Sequence, residues 1–584
     1  MKNITYYSLG LVLLVTAYTS HAQIPHLEKK ANTTKLIVDG KPFIILGGEL
    51  HNSTGSDKEG IKQVCKEMKN LGLNTILGYA YWELVEPVEG KYNFDLVDEL
   101  IQRAAENELK IVLVWFGSWK STASTYVPAW VKTNPKRFPR HTLTDGKTLE
   151  ILSPFSEENM KADAKAYEAL MRHIKDVDKK NTVIMTQVEN EPGCFDGYRD
   201  VSKSALKAWQ SPMPTEMIAY LKANKGKLFP ALEKTWADNG NKTSGTWEEI
   251  LGKSSETGEY KFYTEELFMA YHYSKYINYI AGLGRKQLDL PAFCNAWKYN
   301  KLGFYPHGTC NPHVLDAYRA GGNSIDFYSP NTYTLDYDEL FGGFTLGGNT
   351  LFIPESGLVP AGALYSIAEF NSIGFSPFGI DGERIKSPES ATELKIFKEA
   401  YSTISNIMDL LTSFYNSGKM RGVYVNPKKA EHIIELGDYI ITAKQIGPPA
   451  FSIDFGKSLE NVGKNKISFA QLSGEAPAAP ATNNSSPVPN SGPPPASPNS
   501  KPKIGSAIII HQDADEFFVI GYGTQLHFEI KKGINFQHLG FISIDEGSFL
   551  NNQFIPKKRW NGDEQKAQLP EDRLTCLKIK LYRN

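Results

Sequence analysis

The sequence predicts an α/β chain, a (β/α)8 TIM barrel followed by a C-terminal antiparallel β domain. Three observations carry that prediction. Apolar, partly β-branched runs alternate with amphipathic helical spacing, and the alternations number eight, which fits a closed barrel better than an open doubly wound sheet. The runs end abruptly in polar residues and loop formers, most clearly in Thr182 to Gly193, T-V-I-M-T-Q-V-E-N-E-P-G. Beyond about residue 425 the pattern changes to short alternating strands with no helical spacing between them. A length of 584 residues suits a large barrel plus a smaller module.

Taken in order, residues 1–22 have the build of a signal peptide. Lys2 supplies the positive start, Leu9 to Ala17 the apolar core, and Ser20-His21-Ala22 a small-x-small cleavage site ahead of Gln23. The apolar run is shorter than the ~20 residues of a membrane span. The expected product is periplasmic or secreted, with no membrane attachment after cleavage. Residues 23–425 are expected to form the barrel. Lys35–Val38 and Pro42–Leu46 flank the Asp39-Gly40 turn signal, the second run leading into G-G-E-L-H-N as barrel strand one. Helical spacing follows over Gly60 to Gly72, strand two over Thr75 to Glu83, helix two over Leu96 to Asn107, and strand three over Lys110 to Phe116. A helix is predicted from Glu157 to Val177, and strand four is the N-E-P-G run. A large insertion, Asp196 to Tyr263, precedes a long helix over Thr264 to Leu283. Strands five to eight are placed at Pro291–Trp297, Ser324–Tyr333, Leu351–Gly357 and Ser372–Asp381, and a helix over Ser390 to Ser417 closes the barrel. Residues 426–584 are expected to form the β domain. Its Pro-, Ala-, Ser- and Asn-rich stretch 473–503 cannot build a core and is expected to be a disordered insertion.

Composition excludes some functions. Lys+Arg 64 against Asp+Glu 65 leaves a net charge of −1, without the basic excess of a nucleic-acid binder. Five scattered cysteines form no CxxC pair, so neither a disulfide framework nor a cysteine-built zinc site is expected; Cys294 and Cys310 are expected to be buried free thiols, with a pairing between them in an oxidising compartment as the alternative. His307 and His313 lack a third ligand at zinc spacing, so no metal and no cofactor is expected.

The chemistry lies at the strand ends. Glu191 and Glu355 end strands four and seven, where a barrel gathers its catalytic groups. Two carboxyl groups facing each other across the mouth suit glycoside hydrolysis, Glu191 protonating the leaving oxygen and Glu355 attacking the anomeric carbon. Asn190 is placed to bond the hydroxyl beside the reacting carbon. Glu189, two residues back and hence on the same strand face, competes for the acid role. Tyr79, Trp82 and Glu83 at the end of strand two, His51 and Asn52 at the end of strand one, Trp119 and Trp297 as stacking platforms, and Tyr333 as a donor to Glu355 complete the expected sugar site.

These motifs carry a resemblance. G-G-E-L-H-N, N-T-I-L-G-Y-A-Y-W-E-L-V-E-P-V-E-G-K-Y-N-F-D and Q-V-E-N-E-P-G resemble the retaining β-galactosidases of glycoside hydrolase families 35 and 42, in clan A. The later stretches W-F-G-S-W-K-S, L-F-I-P-E-S and E-G-S-F-L-N-N-Q-F-I-P-K-K-R-W-N-G-D-E resemble a bacterial subgroup with an uncharacterised C-terminal β domain, which includes xyloglucan-acting enzymes. The resemblance implies Glu191 as acid/base, Glu355 as nucleophile, and Tyr79 and Asn190 as sugar contacts. Two departures stand out: family 35 places a glutamate after strand three where this chain has Lys120, and strand two ends Trp-Glu rather than Trp-Asn. The expected activity is a retaining exo-β-galactosidase on plant-type poly- or oligosaccharides, xyloglucan oligosaccharides among them. The alternatives are another clan A β-glycosidase, such as a β-glucosidase or galactanase, or a non-catalytic carbohydrate-binding barrel. Assembly into oligomers is neither required nor excluded.

Overall fold

The computed structural model describes residues 23–30, 33–297, 305–383, 385–446, 503–535 and 538–584. The expected signal peptide, and all but the last residue of the Pro-rich insertion, lie outside them. Eight parallel strands close into a barrel in chain order: β1 (Ile45–Glu49), β2 (Thr75–Tyr81), β3 (Lys110–Lys120), β4 (Val183–Asn190), β5 (Ala292–Trp297), β6 (Phe327–Thr332), β7 (Ile353–Ser356) and β8 (Gly374–Pro377). Their apolar runs are buried on both faces, as a parallel sheet wrapped in helices requires. The helix Glu157–Val177 has the predicted bounds, and its start is fixed by the Ser156 hydroxyl accepting from the Asn159 N–H.

Three departures have local causes. The first hairpin (Thr33–Val38 with Lys41–Phe43) turns at Asp39 and Gly40, both with positive φ, and belongs to a separate three-stranded sheet that includes His26–Lys30; β1 starts only after a break at Ile44. Strand two stops at Tyr81, because Trp82–Val85 coils into one helical turn. The single helix expected over Ser390 to Ser417 is two, Ala391–Asn406 and Met408–Phe414. Between β4 and β5 the insertion carries four short helices before the long helix Tyr263–Gln287.

The C-terminal strands form a six-stranded antiparallel sheet (Met420–Val425, Gly505–Asp513, Glu516–Tyr522, Thr575–Arg583, Leu539–Leu550, Gln553–Arg559) facing a four-stranded one (Glu431–Leu436, Tyr439–Gln445, Thr524–Ile530, Gln568–Leu569). Met420–Val425 pairs with Gly505–Asp513, so the β module takes up its first strand ahead of the boundary expected at residue 426. Period-two alternation divides the strand Gly505–Asp513: Ala507 and Ile509 enter the core between the two sheets, whereas Ile508 and Ile510 join the barrel's core. The six-stranded sheet therefore packs directly on the barrel, against the helix Pro360–Phe370 that follows β7. Glu369 on that helix takes a forked pair of hydrogen bonds from Arg421, at 2.7 and 2.9 Å, and a third from the Gly422 N–H at 2.9 Å.

Candidate active site

Polar side chains collect at the carboxyl ends of the barrel strands. Glu355 ends β7 and is 8 % exposed; Glu191 follows β4 and is 3 % exposed. One amide joins them: Asn331 Nδ2 donates to Glu191 Oε1 at 2.6 Å and to Glu355 Oε2 at 2.8 Å. Those two legs cap the separation of the bonded oxygens at about 5.4 Å. The strand register brings the amide there, since Asn331 on β6 is the direct partner of Glu355 on β7. Its orientation is fixed in turn by Asn295 on β5, whose Nδ2 donates to Asn331 Oδ1 at 3.1 Å while its Oδ1 accepts the Glu191 N–H at 2.9 Å.

Each carboxylate has a second donor. The Tyr333 hydroxyl donates to Glu355 Oε1 at 2.6 Å. Ser121 Oγ donates to Glu191 Oε2 at 2.8 Å, and Lys120 Nζ donates to Ser121 Oγ at 2.8 Å. Burial and the nearby Glu191 push the Glu355 carboxyl up to about 7, against the opposing pull of the Lys120 charge and the Tyr333 hydrogen bond. Asn190 is fully buried and both polar atoms of its side chain lack a partner, which leaves them free for a ligand.

Glu189 does a different job from its neighbour. Its φ of +67° breaks the strand's alternation, so the expectation that it shares a face with Glu191 does not hold. Its carboxyl accepts the Ser118 and Trp119 N–H groups at 3.0 and 2.7 Å, beside the equally buried Asp163, which accepts from Trp115 Nε1, Ser118 Oγ and the Ser118 N–H. Burial and the Asp163 charge push the Glu189 carboxyl well above the usual carboxylate range. Glu189 thus ties down the end of β3.

The other expected sugar contacts divide. Tyr79 is buried and stacks on Phe116, with its hydroxyl directed to the Leu50 carbonyl and to Glu49. Trp297 is half-buried at the end of β5, edge-on to Phe195. His51 is held on the rim by Asp381, Nδ1 to Oδ1 at 2.9 Å, and the Asn52 carbonyl accepts from Tyr81 at 2.6 Å; neither is bonded to the carboxylate pair. Trp82 and Trp119 are corrections. Both are fully buried and neither offers a stacking face: Trp82 bonds Glu86 from its helical turn, and Trp119 bonds the Leu152 carbonyl while packing on Tyr273 and Tyr276. Glu83 pairs with Lys132 away from the pair. Four groups went unselected in the sequence, namely Glu49, Ser121, Asn295 and Asn331. Three of them are polar residues within or ending a barrel strand, which is the signal that would have found them.

All five cysteines are free and buried. Among the described residues no group of three or more His, Cys, Asp or Glu side chains is arranged to hold a metal, and no helix is long and apolar enough to cross a membrane. His313 instead pairs with the buried Glu266, Nε2 to Oε1 at 3.0 Å. A groove of about 670 Å³ on the helical flank, lined by Phe155, His272 and Tyr279 among others, is bordered by none of the mouth carboxylates.

Fold and site define a class: a closed parallel barrel with an amide-bridged glutamate pair at its carboxyl mouth. Comparison with known proteins narrows it. Residues 52–274 match the glycoside hydrolase family 42 model, described as Beta-galactosidase, and residues 397–569 match a domain of unknown function, DUF5597. The first match contains Asn190 and Glu191 and ends before Glu355. The chain is 28 % identical over 185 residues to Beta-galactosidase 8 of Arabidopsis thaliana (30 % of this chain, 20 % of that one). It is 29 % identical over 174 residues to a Beta-galactosidase of Xanthomonas manihotis (28 % and 26 %). The chain thus spans about a fifth to a quarter of the length of these relatives. Among solved structures, the β-galactosidase of the psychrophilic Marinomonas ef1 aligns at 13 % identity and a TM-score of 0.42, over 63 % of this chain and 60 % of that one.

Proposed function

We propose that this chain is a retaining exo-β-galactosidase that removes terminal β-galactosyl residues from plant-type poly- or oligosaccharides, xyloglucan oligosaccharides included, by double displacement. The observation that carries the proposal is the Asn331 amide within hydrogen-bond range of both carboxyl groups. A separation of roughly 5–5.5 Å is the retaining geometry, whereas inversion needs roughly 6.5–9.5 Å to admit a water. Glu355 is the nucleophile, kept ionised in the loaded site by Tyr333 and Asn331. Glu191 protonates the leaving oxygen and then takes a proton from the incoming water. Asn190 binds the hydroxyl beside the anomeric carbon. The galactose assignment is supported by the family match, and the strand-two and N-E-P-G motifs support the barrel and the carboxylate chemistry. No cofactor takes part in this scheme. The leader-like residues 1–22 support work in the periplasm or outside the cell, starting at Gln23.

A 2-deoxy-2-fluoro-β-galactoside with a good leaving group tests it directly. We expect one fluorogalactosyl group on Glu355, found by peptide mass spectrometry. A label on Glu191 reverses the roles, and product of inverted anomeric configuration rejects the mechanism. Because Lys120 stands where family 35 has a sugar-binding glutamate, the gluco-configured reagent is the paired control. Faster labelling by it would assign a β-glucosidase instead.

A further inference from the structure

Glu49 ends β1 at the barrel mouth and is 2 % exposed. It is a third carboxyl group facing Glu355 and Glu191, with Lys120 the nearby positive charge and the Tyr79 hydroxyl in contact. Its Oε1 lies 3.2 Å from that hydroxyl, and its Oε2 meets no hydrogen-bond partner. Tyr79 has a single hydroxyl hydrogen, and its closer neighbour, the Leu50 carbonyl, can only accept. The Tyr79 hydroxyl is shared between that carbonyl and Glu49 Oε1, so Oε1 accepts there and only Oε2 is left without a partner. Burial, Glu355 and Glu191 push its carboxyl well above the usual range, toward the neutral acid, and Lys120 and the Tyr79 hydrogen bond only partly offset them. Its second oxygen is left as a buried acceptor to which nothing donates, beside the reacting groups.

β1 is three strands from β4 around the closed barrel, so Glu49 confronts the site from the side away from Asn190. With Asn190 on the C2 hydroxyl, the opposite edge of a pyranose is C4 to C6. We propose that Glu49 is a substrate-binding residue, held by the Tyr79 hydroxyl at Oε1 and accepting through Oε2 from a hydroxyl on the C4–C6 edge of the bound sugar. The assignment rests on the function proposed above and adds a specificity contact to it.

The test uses the full chain with Glu49→Gln and Glu49→Leu, assayed on aryl β-D-galactoside and its 4-deoxy and 6-deoxy analogues. Gln keeps an acceptor and a donor, and should hold kcat/KM within about tenfold of wild type, whereas Leu should lose about 10²–10³-fold on the galactoside. On whichever analogue lacks the partner hydroxyl, Leu should cost far less. An equal loss on all three substrates would mean a structural role only and overturn the proposal. A second readout does not depend on turnover. Infrared difference spectra, wild type minus Glu49→Gln, should show a Glu49 carboxyl stretch that moves to lower frequency with D-galactose. A band that stays put also overturns the proposal. A wild type inert on every aryl β-glycoside would sink the hydrolase function, and the infrared band would still decide whether Glu49 meets the sugar.

Discussion

Asn331 contacts both glutamates, so its amide sets their spacing before any sugar arrives. Replacing the proposed nucleophile should be the most damaging single change: Glu355→Gln is expected to lower kcat on the order of 10⁴–10⁶-fold, with an unchanged circular dichroism spectrum. Tyr333→Phe tests the electrostatics. In the proposed mechanism Glu355 attacks as the carboxylate, and burial pushes its carboxyl up to about 7 although Tyr333 pulls it down. Without that donor the carboxyl rises further, so the acid limb of kcat/KM should move to higher pH, and activity at pH 6 should fall more than activity at pH 9. Loss of one hydrogen bond to a charged group corresponds to about 10–100-fold. A limb that stays put would mean Tyr333 does not touch the reacting state. The acid pair itself was legible in the sequence because each glutamate stands beside a strand-stopping loop. Asn331 and Asn295 were not, because an asparagine inside an S-P-N-T or F-C-N-A run looks like any buried polar residue until strand register sets it opposite a carboxylate.

At the scale of the element, the end of β3 and the end of β4 are built as one unit. Glu189 and Glu191 both have positive φ, as do Ser121 and Thr122 facing them. Such conformations in non-glycine residues persist only where the surroundings over-determine them, and here the Glu189–Asp163 pair does so by fixing the Ser118 and Trp119 N–H groups. Gly117 leaves room for that pair: a Cβ there would lie 2.4 Å from Trp115 Nε1 and 2.6 Å from Glu189 Oε1. Gly117→Ala should therefore destabilise the barrel by about 1–3 kcal/mol and lower kcat as well, through the displaced Ser121. Thermal unfolding and initial rates check the two effects. This also explains why Trp82 and Trp119 were misplaced. A side chain at a strand end turns away from the mouth once the strand gives way to a helical turn or a left-handed residue, and both aromatics sit beside such a point. Strand and helix order along the barrel, set by apolar periodicity alone, needed no such detail.

At the scale of the molecule, the β module is packed on the barrel by one strand that serves two cores. Ile508 and Ile510 face the barrel while Ala507 and Ile509 face the second sheet, and the uninterrupted apolar run A-I-I-I fits burial on both sides. What it could not show was which body lay on the outer face. Glu369→Ala removes three charge-assisted bonds at that junction and should cost about 2–3 kcal/mol, read as a lowered unfolding midpoint. The helix involved, Pro360–Phe370, comes directly after the strand that carries Glu355.

That junction bears on how the protein can be cut and recombined. Binding modules on flexible tethers can be exchanged between enzymes, because the reaction centre does not lean on them. Here a fragment ending before Met420 would uncover a greasy wall behind the strand that carries Glu355, and should come out of the cell insoluble rather than merely weaker at holding polysaccharide. The module is thus part of the barrel's own foundation.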